Sequence, residues 1–317
     1  MSFSALAALA AKQHGLMTHE QAITHGLSRT KLSRLVRSGV WQQVRPRVFR
    51  RAAATQTDEQ ALKAVCLWHG EGAVVSHRSA ARLHGLILDK SDPELTVPLK
   101  ASIQIPDVTL HRRKPLDPDD VKELRGLSVT KGARTLIDLA SCLDEETLAI
   151  VVEEAWRKRI AAPDWVARRL KELKPLPQGG RVLSEILADC STRKTPLESA
   201  LEVRVWRLML ELGSPRPIPN YEFTDAWGQP GRIDFAFPEQ SLAIECDGYE
   251  HHGVREAFDD DRLRTARLVA LGWRVMPITW KHVTEQRTKV LARIKEALAF
   301  RVTQPGSATT ARRPPPK

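Results

Sequence analysis

Apolar residues recur at helical spacing through the first forty positions of the chain and then switch to alternation. Ser4 to His14 predicts an Ala-rich amphipathic helix, ended by Gly15-Leu16-Met17. Thr18 caps a short helix over His19–Thr24, with Gln21 three residues on, as a capping box requires. Gly26-Leu27 turns the chain, and Ser28 caps a third helix from Arg29 to Arg37. Leu32, Leu35 and Val36 supply its inward face, leaving Arg29, Thr30, Lys31, Arg34 and Arg37 outward. From Val40 to Arg51 (VWQQVRPRVFRR) the pattern alternates like a hairpin and brings Arg45, Arg47, Arg50 and Arg51 together. Helix, short helix, Gly turn, helix and basic hairpin is the layout of a winged helix-turn-helix over residues 1–52. Arg and Lys suit phosphates and guanine edges, and Thr suits either, so these residues are the candidate DNA contacts.

Residues 53–173 read as a mixed α/β region. Helices are expected at Glu59–Trp68, Ser76–His84 (entered through a cap at Ser76), Thr130–Ala140, Glu145–Arg157 and Asp164–Leu173. Strands are expected at Ala73–Ser76, Glu94–Val97, Ser102–Ile105 and Val108–His111. His77, His84 and His111 fall in different elements without ligand spacing, and read as core or surface histidines. Scaffolding or dimerisation is the default role of this region. Lys174–Arg181 (KPLPQGGR) is Pro- and Gly-rich and reads as a linker. The tail Thr303–Lys317 lacks apolar periodicity and reads as disordered.

Residues 182–302 carry the chemistry. Pro196–Leu212 predicts a helix with Thr195 as N-cap, Pro196 at the first position and Glu198 closing the box. Strands follow at Asn220–Asp225, at Ile233–Phe237 and at Leu242–Asp247. The second carries Asp234 on the face opposite Ile233, Phe235 and Phe237. The third is short and mostly apolar, as a buried central strand should be. A helix from Arg255 to Leu271 ends at Gly272, Trp273–Thr279 is a fourth strand, and Val283–Phe300 a last helix. The fold class is therefore α/β (α+β), with an αβββαβ core. Asp234 and Glu245 lie eleven residues apart on adjacent strands, so their carboxylates can meet at one sheet edge. Two carboxylates and a backbone carbonyl, that of Cys246, are hard oxygen ligands of the kind Mg²⁺ (or Mn²⁺) takes.

The formal net charge of +11 suits a polyanionic partner, and nucleic acid is the commonest. Four dispersed cysteines without C-x-x-C read as reduced residues of a cytoplasmic protein, and the apolar N-terminus lacks the basic flank of a signal peptide. No apolar run is long enough for a membrane span. Gly-rich phosphate loops, dinucleotide fingerprints and G-x-S-x-G elbows are absent.

The motif T-P-L-E…R-I-D-F-A…I-E-x-D-G-x-x-H…D-D-R-x-R…G-W-x-V resembles the PD-(D/E)XK nuclease superfamily, in the branch related to very-short-patch (Vsr-like) repair endonucleases, over roughly Leu183–Val302. The resemblance implies that Asp234 ligates a metal and that Glu245 sits beside it. It also implies that His251 moves a proton and that Glu198 closes the site. It departs from the pattern at Asp247, where relatives usually carry Lys, so that role would fall to His251, Arg262 or Arg264, or be absent. It departs again at Pro277, which points to an edge or irregular strand. The N-terminal Q-H-G-L-M-T…G-L-S-R-T-K-L-x-R-L-V-R-S-G-x-W is similar to the winged helix of AbiEi-type antitoxins, transcriptional autoregulators of toxin–antitoxin systems. A-V-V-S-H-R-S-A-A-x-L-H-G resembles the region that follows it there.

Three readings stay open on the residues. The first is a Mg²⁺-dependent endonuclease on double-stranded DNA. The second is an AbiEi-like regulator whose nuclease fold is inactive. The third treats Asp234, Glu245 and Asp247 as sheet-edge charges paired with Arg232, Arg262 and Arg264. A homodimer is compatible with all three, and a cognate toxin partner has no support in the residues.

Overall fold

The computed structural model describes residues 3–86, 91–99, 107–213, 215–225, 227–248 and 255–299, the side chains of 3–4 and 255–262 excepted. The expected strand at Ser102–Ile105, His251 and the tail lie outside the described residues, as does the Arg262 side chain. The chain divides into two compact units, Met1–Pro196 and Leu197–Lys317.

The first unit opens with α1 (Phe3–Lys12), β1 (Leu16–Thr18), α2 (His19–Thr24), α3 (Arg29–Arg37), β2 (Trp41–Arg45) and β3 (Val48–Arg51). The Thr18–Gln21 capping box closes in both directions, at 3.1 and 2.8 Å. Ser28 Oγ accepts from Lys31 N at 3.3 Å. Leu16 and Met17, read from sequence as part of a helix end, instead pair, together with Thr18, against β3 and complete a three-stranded sheet, β1-β3-β2. Leu6, Ala10, Met17, Ala22, Leu27, Leu32, Trp41 and Phe49 form the core of this part.

The unit continues through α4 (Asp58–His69), β4 (Val74–Val75), α5 (His77–Leu83), β5 (Glu94–Pro98), β6 (Thr109–Arg113), β7 (Val121–Leu124), β8 (Leu127–Thr130), α6 (Gly132–Leu139), α7 (Glu145–Arg157), α8 (Pro163–Glu172) and α9 (Gly180–Cys190). Five strands make one sheet in the order β6-β5-β4-β8-β7, of which the β7–β8 hairpin was not anticipated. Residues 182–190, expected to open the nuclease-like domain, lie in α9 against α7 and α8 of this unit. Gly180 begins that helix, so the expected linker is shorter than it reads.

The second unit runs α10 (Ala200–Leu210), β9 (Ile218–Thr224), β10 (Pro230–Phe237), β11 (Leu242–Asp247), α11 (Arg255–Ala270), β12 (Arg274–Thr279), α12 (Trp280–Glu285) and α13 (Arg287–Ala299). Its sheet has the order β12-β11-β10-β9, with β11 and β12 parallel across the α11 crossover. This is the αβββαβ order read from sequence. Pro277 sits in β12, an edge strand, where its missing N–H costs least. Gly231 faces Phe223 across the β9–β10 ladder, and a Cβ there would come within 2.3 Å of the ring. Gly272, at φ 85°, provides the left-handed turn after α11.

Three expectations need correction. The last helix is broken at Gln286 (φ −125°, ψ 23°) into α12 and α13. The strand β10 is apolar on both sides rather than one. Ile233 and Ala236 share a cluster with Leu268, while the Phe235 ring centroid lies 5.9 Å from that of Trp206. Finally, α10 begins four residues late. Ser199 rather than Thr195 is its N-cap, accepting from Glu202 N at 3.1 Å, while the Glu202 carboxylate accepts from Glu198 N at 2.9 Å and Ser199 Oγ at 3.0 Å. Among the described residues, no helix is long and apolar enough to cross a membrane.

Candidate functional site

The antiparallel β10–β11 ladder sets Phe235 opposite Ile244, which places Asp234 and Glu245 side by side. Asp234 Oδ2 accepts the Cys246 backbone N–H at 2.8 Å, a bond that fixes the carboxylate while Oδ1 stays directed at Arg264, 3.7 Å away. Arg264, on α11, also pairs with Glu245 Oε2. One guanidinium therefore neutralises both acids, as the edge-charge reading requires of Arg264. Arg232 bears on Asp234 only through its charge. It forms a two-pronged pair with Glu198 at 2.6 and 2.7 Å, both side chains largely exposed. Pairing with Glu198 raises the Arg232 pKa further.

Burial pushes the Asp234 carboxyl above its ordinary value, against the pull of the Cys246 N–H, Arg264 and Arg232. Glu202 is shifted the same way by burial, with the Asp234 charge adding to it. The Cys246 thiol is driven far up by burial beside these acids, which disfavours its thiolate. Its carbonyl accepts the Gly248 N–H at 3.1 Å. Two carboxylates directed at one cationic centre, with a carbonyl beside them, fit a hard divalent cation. Asp247 ends β11 opposite Thr279, and its charge reaches Cys246.

Glu202 is the residue that sequence reasoning missed. The pattern S/T-x-x-E occurs twice in succession, at Thr195–Glu198 and at Ser199–Glu202. Only the second forms the helix cap, which carries Glu202 inward and leaves Glu198 outside with Arg232.

In the first unit, Arg29, Thr30, Lys31, Arg34 and Arg37 are all exposed on α3, and Arg47 is exposed at the β2–β3 turn with Arg45 half-buried beside it. Arg50 leaves the expected basic wing. It is buried and donates to Gln42 Oε1 at 2.6 Å. The reading of the histidines also changes. His77 and His111 stack at 3.4 Å, with Glu94 2.9 Å from His111. His84 stays apart, bonded to Thr130 O at 2.8 Å.

Residues 219–298 match the family model REase_MTES_1575. The second unit carries a restriction-endonuclease-like domain. Such folds are typically dependent on a divalent metal. Residues 4–52 match the model for the AbiEi antitoxin, a transcriptional regulator. Two uncharacterized proteins of Mycobacterium tuberculosis, MT2308 (strain CDC 1551 / Oshkosh) and Rv2248 (strain ATCC 25618 / H37Rv), are each 28% identical to this chain over 178 residues, which is 56% of this chain and 64% of theirs. The match thus spans less than two thirds of those relatives. The crystal structure of the RV2827C protein from Mycobacterium tuberculosis is similar at a TM-score of 0.40 and 14% identity, over 59% of this chain and 75% of that one.

Proposed function

We propose that the chain is a DNA-binding, metal-dependent endonuclease, its restriction-endonuclease-like domain hydrolysing phosphodiester bonds of double-stranded DNA. The observation that carries this is the convergence of Asp234 and Glu245 on one cationic centre, with Asp234 fixed by the Cys246 N–H. Asp234, Glu245 and the Cys246 carbonyl would hold Mg²⁺ or Mn²⁺. When bound, such an ion activates water and neutralises charge on the attacked phosphate. Arg264 adds cationic charge at the same point and would steady the phosphate, with Arg262 as its companion on α11. His251 is the proposed proton carrier. Burial raises the Glu202 carboxyl above its ordinary value, and the Asp234 charge adds to that shift. Arg29, Thr30, Lys31, Arg34 and Arg37 of α3, with Arg45 and Arg47 of the hairpin, would contact the duplex.

A second reading, a regulator with an inactive nuclease fold, is favoured by Asp247 at the position where an ammonium would polarise the water. Supercoiled plasmid with Mg²⁺ or Mn²⁺ separates the two. Wild-type chain should nick it and Asp234→Asn should not, while both still shift DNA in a gel. Cleavage that survives in Asp234→Asn would refute the site. Metal-independent DNA binding without nicking in either protein would favour the regulator.

A further inference from the structure

The first unit holds a second cluster of ligating side chains, unrelated to the carboxylates of the nuclease-like domain. His77 opens α5, Glu94 opens β5 and His111 lies in β6. Seventeen residues separate each from the next, so no local motif announces them. The parallel β5–β6 register, with Thr96 opposite His111, draws the last two together. One ligand atom from each of the three lies within 4.8 Å of the other two.

His77 is 0% exposed, and its Nε2 has no hydrogen-bond partner among the described residues. Its Nδ1 lies 2.9 Å from Ser76 Oγ, which is also bonded by Thr96 Oγ1 at 2.9 Å. Ser76, expected to cap α5, makes no side-chain cap bond there and orients the imidazole instead. In the tautomer that donates Nδ1–H to Ser76, Nε2 keeps its lone pair inside the protein with nothing to receive it. An unmet buried acceptor is destabilising. His77 is also held at φ 50°, a conformation that L-residues adopt at a cost and that persists where surrounding structure enforces it.

Glu94 completes the set. Arg78 takes its Oε1 at 3.3 Å, whereas Oε2 faces His111 Nε2 at 2.9 Å. An ion seated between Nε2 and Oε2 would replace the single proton they share and would meet the lone pair of His77. Arg113 and Arg134 add positive charge around His77, so the carboxylate is essential to any cation held there. Ligand atoms around tetrahedral Zn²⁺ stand about 3.3 Å apart at the usual bond lengths, and because each imidazole binds an ion in its own ring plane, the half-exposed His111 ring must turn out of its stack on His77 to close this cluster.

We propose that His77, Glu94 and His111 form a binding site for a transition-metal dication, Zn²⁺ first, with a fourth position open to water or ligand. Two imidazoles and one carboxylate suit Zn²⁺ and its neighbours rather than Mg²⁺. The ion would tie together α5, β5 and β6, the elements that carry the three side chains. His111, with 22% of its side chain exposed, marks the side from which an ion enters.

The test uses the full chain, stripped with chelator and dialysed, then titrated with Zn²⁺ and with Co²⁺ as a spectroscopic probe. In excess Mg²⁺, which occupies the proposed nuclease centre, one Zn²⁺ per chain should still bind, and Co²⁺ should give the visible absorption of a four- or five-coordinate site. His111→Gln and Glu94→Gln should lose the ion, whereas Asp234→Asn should keep it, which separates this site from the proposed nuclease centre. Zn²⁺ should also protect His111 of the wild-type chain from diethyl pyrocarbonate, a readout that needs no variant. Absence of Zn²⁺ and Co²⁺ binding to the wild-type chain overturns the proposal. So does unchanged stoichiometry in both ligand variants, or no protection of His111.

Discussion

Replacing Arg264 by Met removes the cation that Asp234 and Glu245 share and leaves two acids facing each other with side-chain exposures of only 15% and 11%. Removing one partner of a fully buried pair costs about 3–5 kcal/mol. An exposed pair contributes about 0–1 kcal/mol. Arg264 is itself 35% exposed, so solvent screens part of the interaction and the loss should be about 2 kcal/mol. The Cys246 amide, bonded to Asp234 Oδ2, is the natural reporter. In chelator, its hydrogen exchange in Arg264→Met should be about thirtyfold faster than in the wild type. A divalent cation that binds the two acids should reverse this, because it supplies the missing charge. At a Mg²⁺ concentration a hundredfold above its dissociation constant the gain is about 2.7 kcal/mol. Adding Asp234→Asn should abolish that rescue. The reasoning fails if Arg264→Met exchanges like the wild type in chelator, or if Mg²⁺ protects the double variant equally.

Glu202→Gln tests the burial of that acid. Its folded carboxyl is raised above the ordinary value of 4.5, so the folded chain keeps a proton that the unfolded chain releases. Wild-type stability should therefore fall as pH climbs from 4.5 through the raised value, while Glu202→Gln stays flatter and gains on the wild type toward pH 7; parallel urea-unfolding profiles would contradict this. Arg134→Leu removes the guanidinium that bonds Asp138 and Asp120 at 2.9 Å each, inside a cluster where Asp138 is 0% exposed. Calorimetry should show a loss of about 3–5 kcal/mol in the first unit. Lys31→Ala and Arg34→Ala, on the exposed face of α3, should each reduce the salt dependence of DNA binding by about one unit of log–log slope, measured by fluorescence anisotropy.

What the sequence determined by itself is what depends on near neighbours. The capping residues Thr18 and Ser28, the apolar stripe of α3 and the left-handed turn at Gly272 are set within a few positions. Each was therefore legible, as was the eleven-residue spacing that aligns Asp234 with Glu245 across one tight connection. Where two local signals competed, the chain alone could not choose. Thr195–Glu198 and Ser199–Glu202 present the same capping pattern, and only packing of α10 on the sheet selects the second. That choice turns Glu202 inward and leaves Glu198 to Arg232. The remaining assignments belong to the tertiary structure for a reason of distance. Arg264 reaches Glu245 across nineteen residues, and His111 reaches Glu94 across seventeen. Such contacts exist because strands pair and helices cross over, so the sequence names Arg264 only as one of three candidate partners for the acids and carries no sign of the Glu94–His111 pair.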